Sequence, residues 1–246
     1  MWRKQVSSYS ALLLLFMLGF ALPVESHEYG LRLLTYIDAP YVYPESEKKQ
    51  GLAVLFIKQL MARANLTYSL EVVPAKRALL LASAKPNTCV FPIERSQERE
   101  VQYSWVSPIL ISRHGLFKRP DRKLKALRTV RDAQKYSIGT YLGSGIGEYL
   151  RNFDFTIEET TSNELNIHKL FAKRIDLWAS DTLSAQYIAE KNGIILREPE
   201  LIFFTSLRAM GCHPSLSDKI NQRLNQTLGS MYKDGSIERI RKNFKF

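Results

Sequence analysis

Only two cysteines, Cys89 and Cys212, occur among the 246 residues, and the four histidines, His27, His114, His168 and His213, lie far apart. None has metal-ligand spacing, and no Ser-His-Asp or Cys-His arrangement can be read from their order, so neither a metal nor a cofactor is expected. Long apolar runs are also missing. Beyond Ala11 to Leu22, nothing approaches the roughly 20 apolar residues that a membrane-spanning helix requires. Acidic residues are the minority charge, 24 against 35 lysines and arginines, for a net charge of +11. A basic balance admits nucleic acid as a partner, but no nucleic-acid-binding motif accompanies it. An anionic small ligand or a membrane surface fits better.

The one apolar run stands at the front. Arg3 and Lys4 precede it and Val24-Glu25-Ser26 follows, so residues 1–26 are expected to be an export signal cleaved after Ser26, with an uncleaved anchor as the alternative. Losing Arg3, Lys4 and Glu25 leaves a charge of +10 on residues 27–246, a length that suits one large domain or two small lobes. Export carries the chain into an oxidising compartment, where Cys89 and Cys212 are expected to pair. The densest basic stretch, Arg113 to Arg131, includes Lys118, Arg119, Arg122, Lys123, Lys125 and Arg128 against Asp121 alone. It reads as a solvated face or as a docking patch for lipid headgroups or a partner protein.

Cys89 to Ile109 is the segment around which the rest is arranged. Cys89–Ile93 is apolar and β-prone, Glu94–Glu100 has no apolar residue, and Val101–Ile109 is again aromatic and β-branched, the pattern of a charged loop between two buried strands. Arg95 and Arg99 on that loop could take a carboxylate bidentately, or pair with Glu94, Glu98 and Glu100 as ordinary loop charges.

The remaining elements alternate. Strand LRLLTYI leads into the aromatic turn Asp38–Pro44, and a helix over Leu52–Ala64 is followed by a strand over Thr67–Val73 and a second helix from Pro74. After a connecting strand, ILISRHGLF, a second unit follows: strand Tyr136–Leu142, glycine-rich turn Gly143–Gly147, short helix Glu148–Phe153, helix Asn163–Lys173, strand Ile175–Ala179 and helix Leu183–Lys191. Ile194–Leu207 reads as irregular, Leu207–Gly211 as a returning strand, and Asp218–Phe244 as helix interrupted near Asp234-Gly235. The class is α/β, and ligand contacts collect at strand ends in such sheets. Tyr36, Tyr41, Tyr43, Arg77 and Arg99 are candidates on that rule, together with Tyr141. The turn GSGIG could aim backbone N–H groups at an anion, more economically a carboxylate than a phosphate, since the spacing is neither the dinucleotide fingerprint nor the Walker loop. Asp181 either caps the helix after it or faces a cleft and takes an ammonium group.

In order and spacing, GLAVLFIKQLMARANLTY, RSQERE with WVSPI, SIGTYLGSG, IDLWASD and the ending DKINQRLNQTLGSMYKDGSIERIRKNF resemble the periplasmic solute-binding proteins of polar amino-acid ABC transporters. The resemblance covers nearly all of residues 27–246. It implies a type II periplasmic binding fold of two lobes, each a mixed sheet flanked by helices, joined by two hinge strands. Residues 27–111 would form the first lobe, 112–206 the second, and 207–246 a return strand and C-terminal helices packing on the first. It also implies a monomer in the periplasm that passes a small ligand to a membrane permease, without catalysis. Carried over by position, Arg99 would bind an α-carboxylate with help from backbone N–H groups near Ser144 and Gly145. Asp181 would bind the α-ammonium, and Tyr36, Tyr41 and Arg77 would line the side-chain pocket.

Three positions depart from the family pattern. Leu55 stands where an acid is usual, Ala75 where an aromatic is common, and Glu94 where a small hydroxyl or glycine is expected. Glu94 in the pocket would favour a cationic side chain, or pair internally with Arg77 or Arg95. Two other functions suit the same fold: a sensor subunit serving a membrane receptor, and a dehydratase in which Glu94 is a general acid. The second requires a raised pKa that neighbouring arginines oppose.

Overall fold

The structure, a computed structural model, describes residues 30–244; the expected export signal and its cleavage point lie outside them. Strands β1 (Leu31–Thr35), β2 (Tyr68–Val72) and β3 (Thr88–Glu94) pair in parallel in the order β2-β1-β3. Helix α1 (Leu52–Ala64) connects β1 to β2, and α2 (Ala75–Ala84) connects β2 to β3. On α1 the steps Leu52–Phe56–Leu60 and Ala53–Ile57–Met61 place one apolar stripe against the sheet, and Asn65 ends the helix at φ 48°. Helix α2 buries only Ala75, Ala78 and Ala82, small side chains that let it lie close on β1 and β3.

Two long antiparallel strands run through the middle: β4 (Ser104–Phe117) of 14 residues and β8 (Leu201–Cys212) of 12. Beyond them lie β7 (Leu177–Asp181), β5 (Ile138–Tyr141) and β6 (Ile157–Thr160), with helices α3 (Gly145–Arg151), α4 (Glu164–Phe171) and α5 (Thr182–Lys191). Helices α6 (Asp218–Lys233) and α7 (Ser236–Asn243) pack back on α1, burying Leu224, Leu228 and Met231 in the core that α1 lines. The expected hinge strands are therefore β4 and β8, and their pairing fuses two lobe sheets into one of eight strands, β2-β1-β3-β8-β4-β7-β5-β6. Both strands change register midway, β4 on β8 between Val106 and Leu110 and again at His114/Gly115, which bends the sheet where the lobes meet.

Several local expectations change. Val101 and Gln102 do not open a strand: they end a 3₁₀ turn, Gln97–Gln102, and Val101 points into solvent. Residues 201–207 are strand, although their burial barely alternates, because only β4 pairs with that half of β8. Gly145 and Gly147 belong to the first turn of α3. The predicted disulfide is present, joining Cys89 of β3 to its register partner Cys212 of β8 with Cα atoms 3.9 Å apart. In the basic stretch, Arg119 is bonded to Asp121 and the Leu170 carbonyl, and Arg122 to Asp176 at 2.6 Å, while Lys123, Lys125 and Arg128 are exposed.

Candidate functional site

An arginine in the middle of a buried strand needs carboxylates, and Arg208 of β8 has two. It is 1% exposed and lies opposite Glu94 of β3 in the register. Its Nη1 donates to Asp38 Oδ2 at 2.6 Å, its Nη2 to Glu94 Oε1 at 3.3 Å, and its guanidinium stacks 4.5 Å from the Tyr41 ring centroid. Asp38 is fixed by the turn after β1, where its carbonyl accepts from the N–H groups of Tyr41 and Val42. Its second carboxylate oxygen accepts from Ser184 of α5 at 3.1 Å. Burial alone would lower the Arg208 pKa, but Asp38 and Glu94 outweigh it and hold the group charged. Burial would likewise raise Glu94, yet Arg208 and the other positive neighbours keep it below the ordinary carboxylate value. Glu94 therefore pairs internally, with Arg208 rather than with Arg77 or Arg95.

Arg99 continues the series. The 3₁₀ turn over Gln97–Gln102 buries it, and its fork meets Glu148 of α3: Nε donates to Oε2 at 2.9 Å and Nη2 lies 2.8 Å from Oε1. Nη2 also donates to the Gly143 carbonyl at 3.1 Å. Gly143 sits at φ +85°, and a Cβ there would come within 3.0 Å of the Lys76 nitrogen, so the loop before α3 can approach α2 only with glycine at this position. Arg99 Nη1 is 4.0 Å from Glu94 Oε2, and neither atom has a hydrogen-bond partner among the described residues. Negative and positive groups thus alternate through the interior: Asp38, Arg208, Glu94, Arg99, Glu148.

Asp181 ends β7 and caps α5. Its Oδ1 accepts from Leu183 N, Ser184 N and Tyr41 OH, each at 3.0 Å. All three bonds fall on one oxygen, so capping leaves Oδ2 to meet another donor. Asp181, Glu94, His114, Tyr141, Ser144 and Arg208 line an interior cavity of about 10 Å³, room for a single water. His114 faces Asp181 in the β4–β7 register and its Nε2 lies 2.9 Å from Ser206 Oγ; burial holds its pKa below the ordinary value. Tyr36 donates to the Pro92 carbonyl at 2.5 Å and packs against Tyr141, with ring centroids 6.4 Å apart. Ser144 caps α3 by accepting from Gly147 N at 3.3 Å. On the outer side of Arg99 a cleft of about 400 Å³, within the range of small-ligand sites, is lined by Lys76, Tyr103, Glu148 and Arg151, among others.

Of the residues expected at the site, Arg99, Asp181, Glu94, Tyr36, Tyr41, Tyr141, Ser144 and Gly145 converge. Arg77 does not: it is exposed on α2. Arg95 bonds Glu100 on the surface through both ends of its fork, and Tyr43 packs edge-on against Tyr187 at 5.4 Å. Asp38, His114, Glu148 and Arg208 were not anticipated. For Arg208 the signal was a lone charge inside the apolar strand LRAMGC. The other three become visible only through their partners.

No protein-family model matches the chain, and neither does any curated protein sequence. Solved structures do match. A histidine kinase sensor domain with similarity to periplasmic binding proteins aligns over 87% of this chain and 95% of its own, with TM-score 0.77 and 17% identity. The chain has the two-lobed periplasmic binding protein fold. The same fold relates it to ArtJ, an arginine-, lysine-, histidine-binding protein from Geobacillus stearothermophilus (TM-score 0.74, 17% identity, 87% and 94% covered). It also relates it to the GluR0 ligand-binding core from Nostoc punctiforme in complex with L-glutamate (0.73, 18%, 85% and 96%). In this periplasmic-binding fold Asp38, Glu94 and Arg99 come from the lobe built on β1–β3, and Ser144, Glu148 and Asp181 from the lobe built on β5–β7, so the charged series crosses from lobe to lobe.

Proposed function

We propose that this protein captures a small solute between its lobes, most simply an amino acid, and delivers it in the periplasm to the membrane permease of an ABC transporter. The observation that carries this reading is the meeting of polar groups from the two lobes, the Tyr41 hydroxyl with Asp181 and the Arg99 guanidinium with Glu148. The cavity of about 10 Å³ must widen to admit a ligand, and a zwitterion held there would touch both lobes at once, which is the differential affinity a ligand needs to favour a closed form around it. Arg99 takes the α-carboxylate, with backbone N–H groups near Ser144 and Gly145 beside it. Asp181 Oδ2 takes the α-ammonium, and Tyr36, Tyr41 and Tyr141 form the walls.

Four carboxylates, Asp38, Glu94, Asp181 and Glu148, face two guanidiniums, Arg99 and Arg208. That excess favours arginine or lysine over glutamate as the ligand, and ArtJ and the ancestral arginine-binding protein of the same fold are named for basic amino acids. The lowered pKa of Glu94 supports binding over general-acid chemistry. A second reading, a sensory subunit, draws on the likeness to the histidine kinase sensor domain.

Calorimetric titration of the full chain with the common amino acids tests the proposal. L-Arginine or L-lysine is expected to bind, and Arg99→Ala or Asp181→Ala to weaken binding by at least about 2 kcal/mol, since each leaves a ligand charge unpaired. Full affinity in either variant removes that residue from the site.

A further inference from the structure

Arg99 is the group that would receive a ligand carboxylate, and its fork already holds one. Glu148 meets it bidentately, at 2.9 Å to Nε and 2.8 Å to Nη2, from the opposite lobe. We propose that Glu148 is an internal carboxylate that competes with the ligand for Arg99, latching the lobes when it is in place and filtering ligands when it is displaced. This rests on the reading of Arg99 as the carboxylate receptor.

Three observations point the same way. The two groups are unequally buried: the Arg99 side chain is 4% exposed, whereas that of Glu148 is 33% exposed and lines the cleft of about 400 Å³. Glu148 can therefore swing into water while Arg99 cannot. Arg99 also lacks an adequate substitute partner, because Glu94 stands 4.0 Å from its Nη1 without a hydrogen bond. A buried guanidinium abandoned by its carboxylate is costly, so Glu148 leaves only as another carboxylate arrives. Finally, Glu148 and the Gly143 carbonyl between them occupy Nε and Nη2, so a second carboxylate can reach Arg99 bidentately only by taking a position that Glu148 now holds.

The consequence is selectivity. Exchanging one carboxylate for another on the same fork gains little by itself. A monocarboxylate thus competes poorly, and a ligand succeeds through what its second charged group finds elsewhere, such as Asp181. Glu148 therefore rejects simple acids while admitting zwitterions.

Two variants of the full chain test this. Glu148→Ala opens a carboxylate-sized space on Arg99. It is expected to melt below wild type in sodium chloride and to recover by roughly 3 °C or more in sodium acetate of equal ionic strength, with wild type unmoved. Acetate that moves neither protein, or both alike, overturns the competition. Glu148→Gln keeps the volume and removes the charge. With dyes on Lys85→Cys and Lys123→Cys, one on each lobe, energy transfer in this variant is expected to fall, reporting an open population about tenfold larger. Unchanged transfer overturns the latch. If acetate rescues Glu148→Ala and yet no amino acid binds wild type, the amino-acid reading fails and the competition stands.

Discussion

Arg208 is the residue on which the interior depends. Truncating it leaves Asp38 and Glu94 facing each other without their cation, and Arg208→Ala is expected to lower unfolding free energy by about 3–5 kcal/mol in urea melts. Arg208→Lys should not restore it, because one ammonium cannot reach both carboxylates and stack on Tyr41 as the planar fork does. His114 sets a pH dependence. Its folded pKa lies below the unfolded value, so the unfolded chain binds more protons as pH falls through about 6.5. Stability is then full above that pH, declines below it, and levels off once the folded pKa is passed. Glu94, also held low, adds its loss only near the ordinary 4.5 and below, whereas burial raises the Asp38 carboxyl and works in the opposite direction, so the share of the histidine in the change of melting temperature between about pH 7 and 5.5 is read against a His114 variant. His114→Gln should flatten that slope; an unchanged slope would assign it to another group. Arg99, Asp181, Tyr36, Tyr41 and Tyr141 were legible as candidates because each ends or follows an element whose pattern is plain, whereas Tyr43, chosen on the same rule, packs on Tyr187 instead. Arg208 was not, because its partners at 38 and 94 lie far from it in sequence and only the fold joins them.

At the scale of elements, α3 approaches the end of β3 closely at Gly145. A Cβ on Gly145 would stand 2.8 Å from Glu94 Cβ, so Gly145→Ala should push α3 away and weaken both the Arg99–Glu148 contact and ligand binding, read by interlobe energy transfer. The glycines of GSGIG were legible as a turn that opens a helix, but not as the means of close packing across lobes, because the sequence does not show what lies opposite. The Cys89–Cys212 bridge pins β3 to β8 across 123 residues of chain, and replacing both cysteines with alanine is expected to cost about 4–5 kcal/mol in the chain-entropy view. Strand β8 was half legible. Its inner half is buried from Arg208 to Cys212, whereas residues 201–207 pair on one side only and show no clean alternation.

Over the whole molecule, the order of elements was readable from alternating strand and helix patterns, since each lobe repeats a simple α/β plan. That two strands join the lobes was implied by the resemblance, but that β4 and β8 pair with each other and make one eight-stranded sheet was not, because register between strands so distant in sequence leaves no local trace. On the proposed reading, function at this scale is the coupling of lobe position to a ligand that both lobes hold. Thermal melting of the full chain with L-arginine, with agmatine, which lacks the carboxylate, and with 5-guanidinovalerate, which lacks the α-amine, tests that coupling directly. A ligand that binds only the folded form must raise the melting temperature. L-Arginine alone is expected to do so appreciably, because it alone offers a charge to Arg99 and another to Asp181. Equal stabilisation by 5-guanidinovalerate would leave Asp181 as a helix cap and nothing more, and contradict capture of a zwitterion between the lobes.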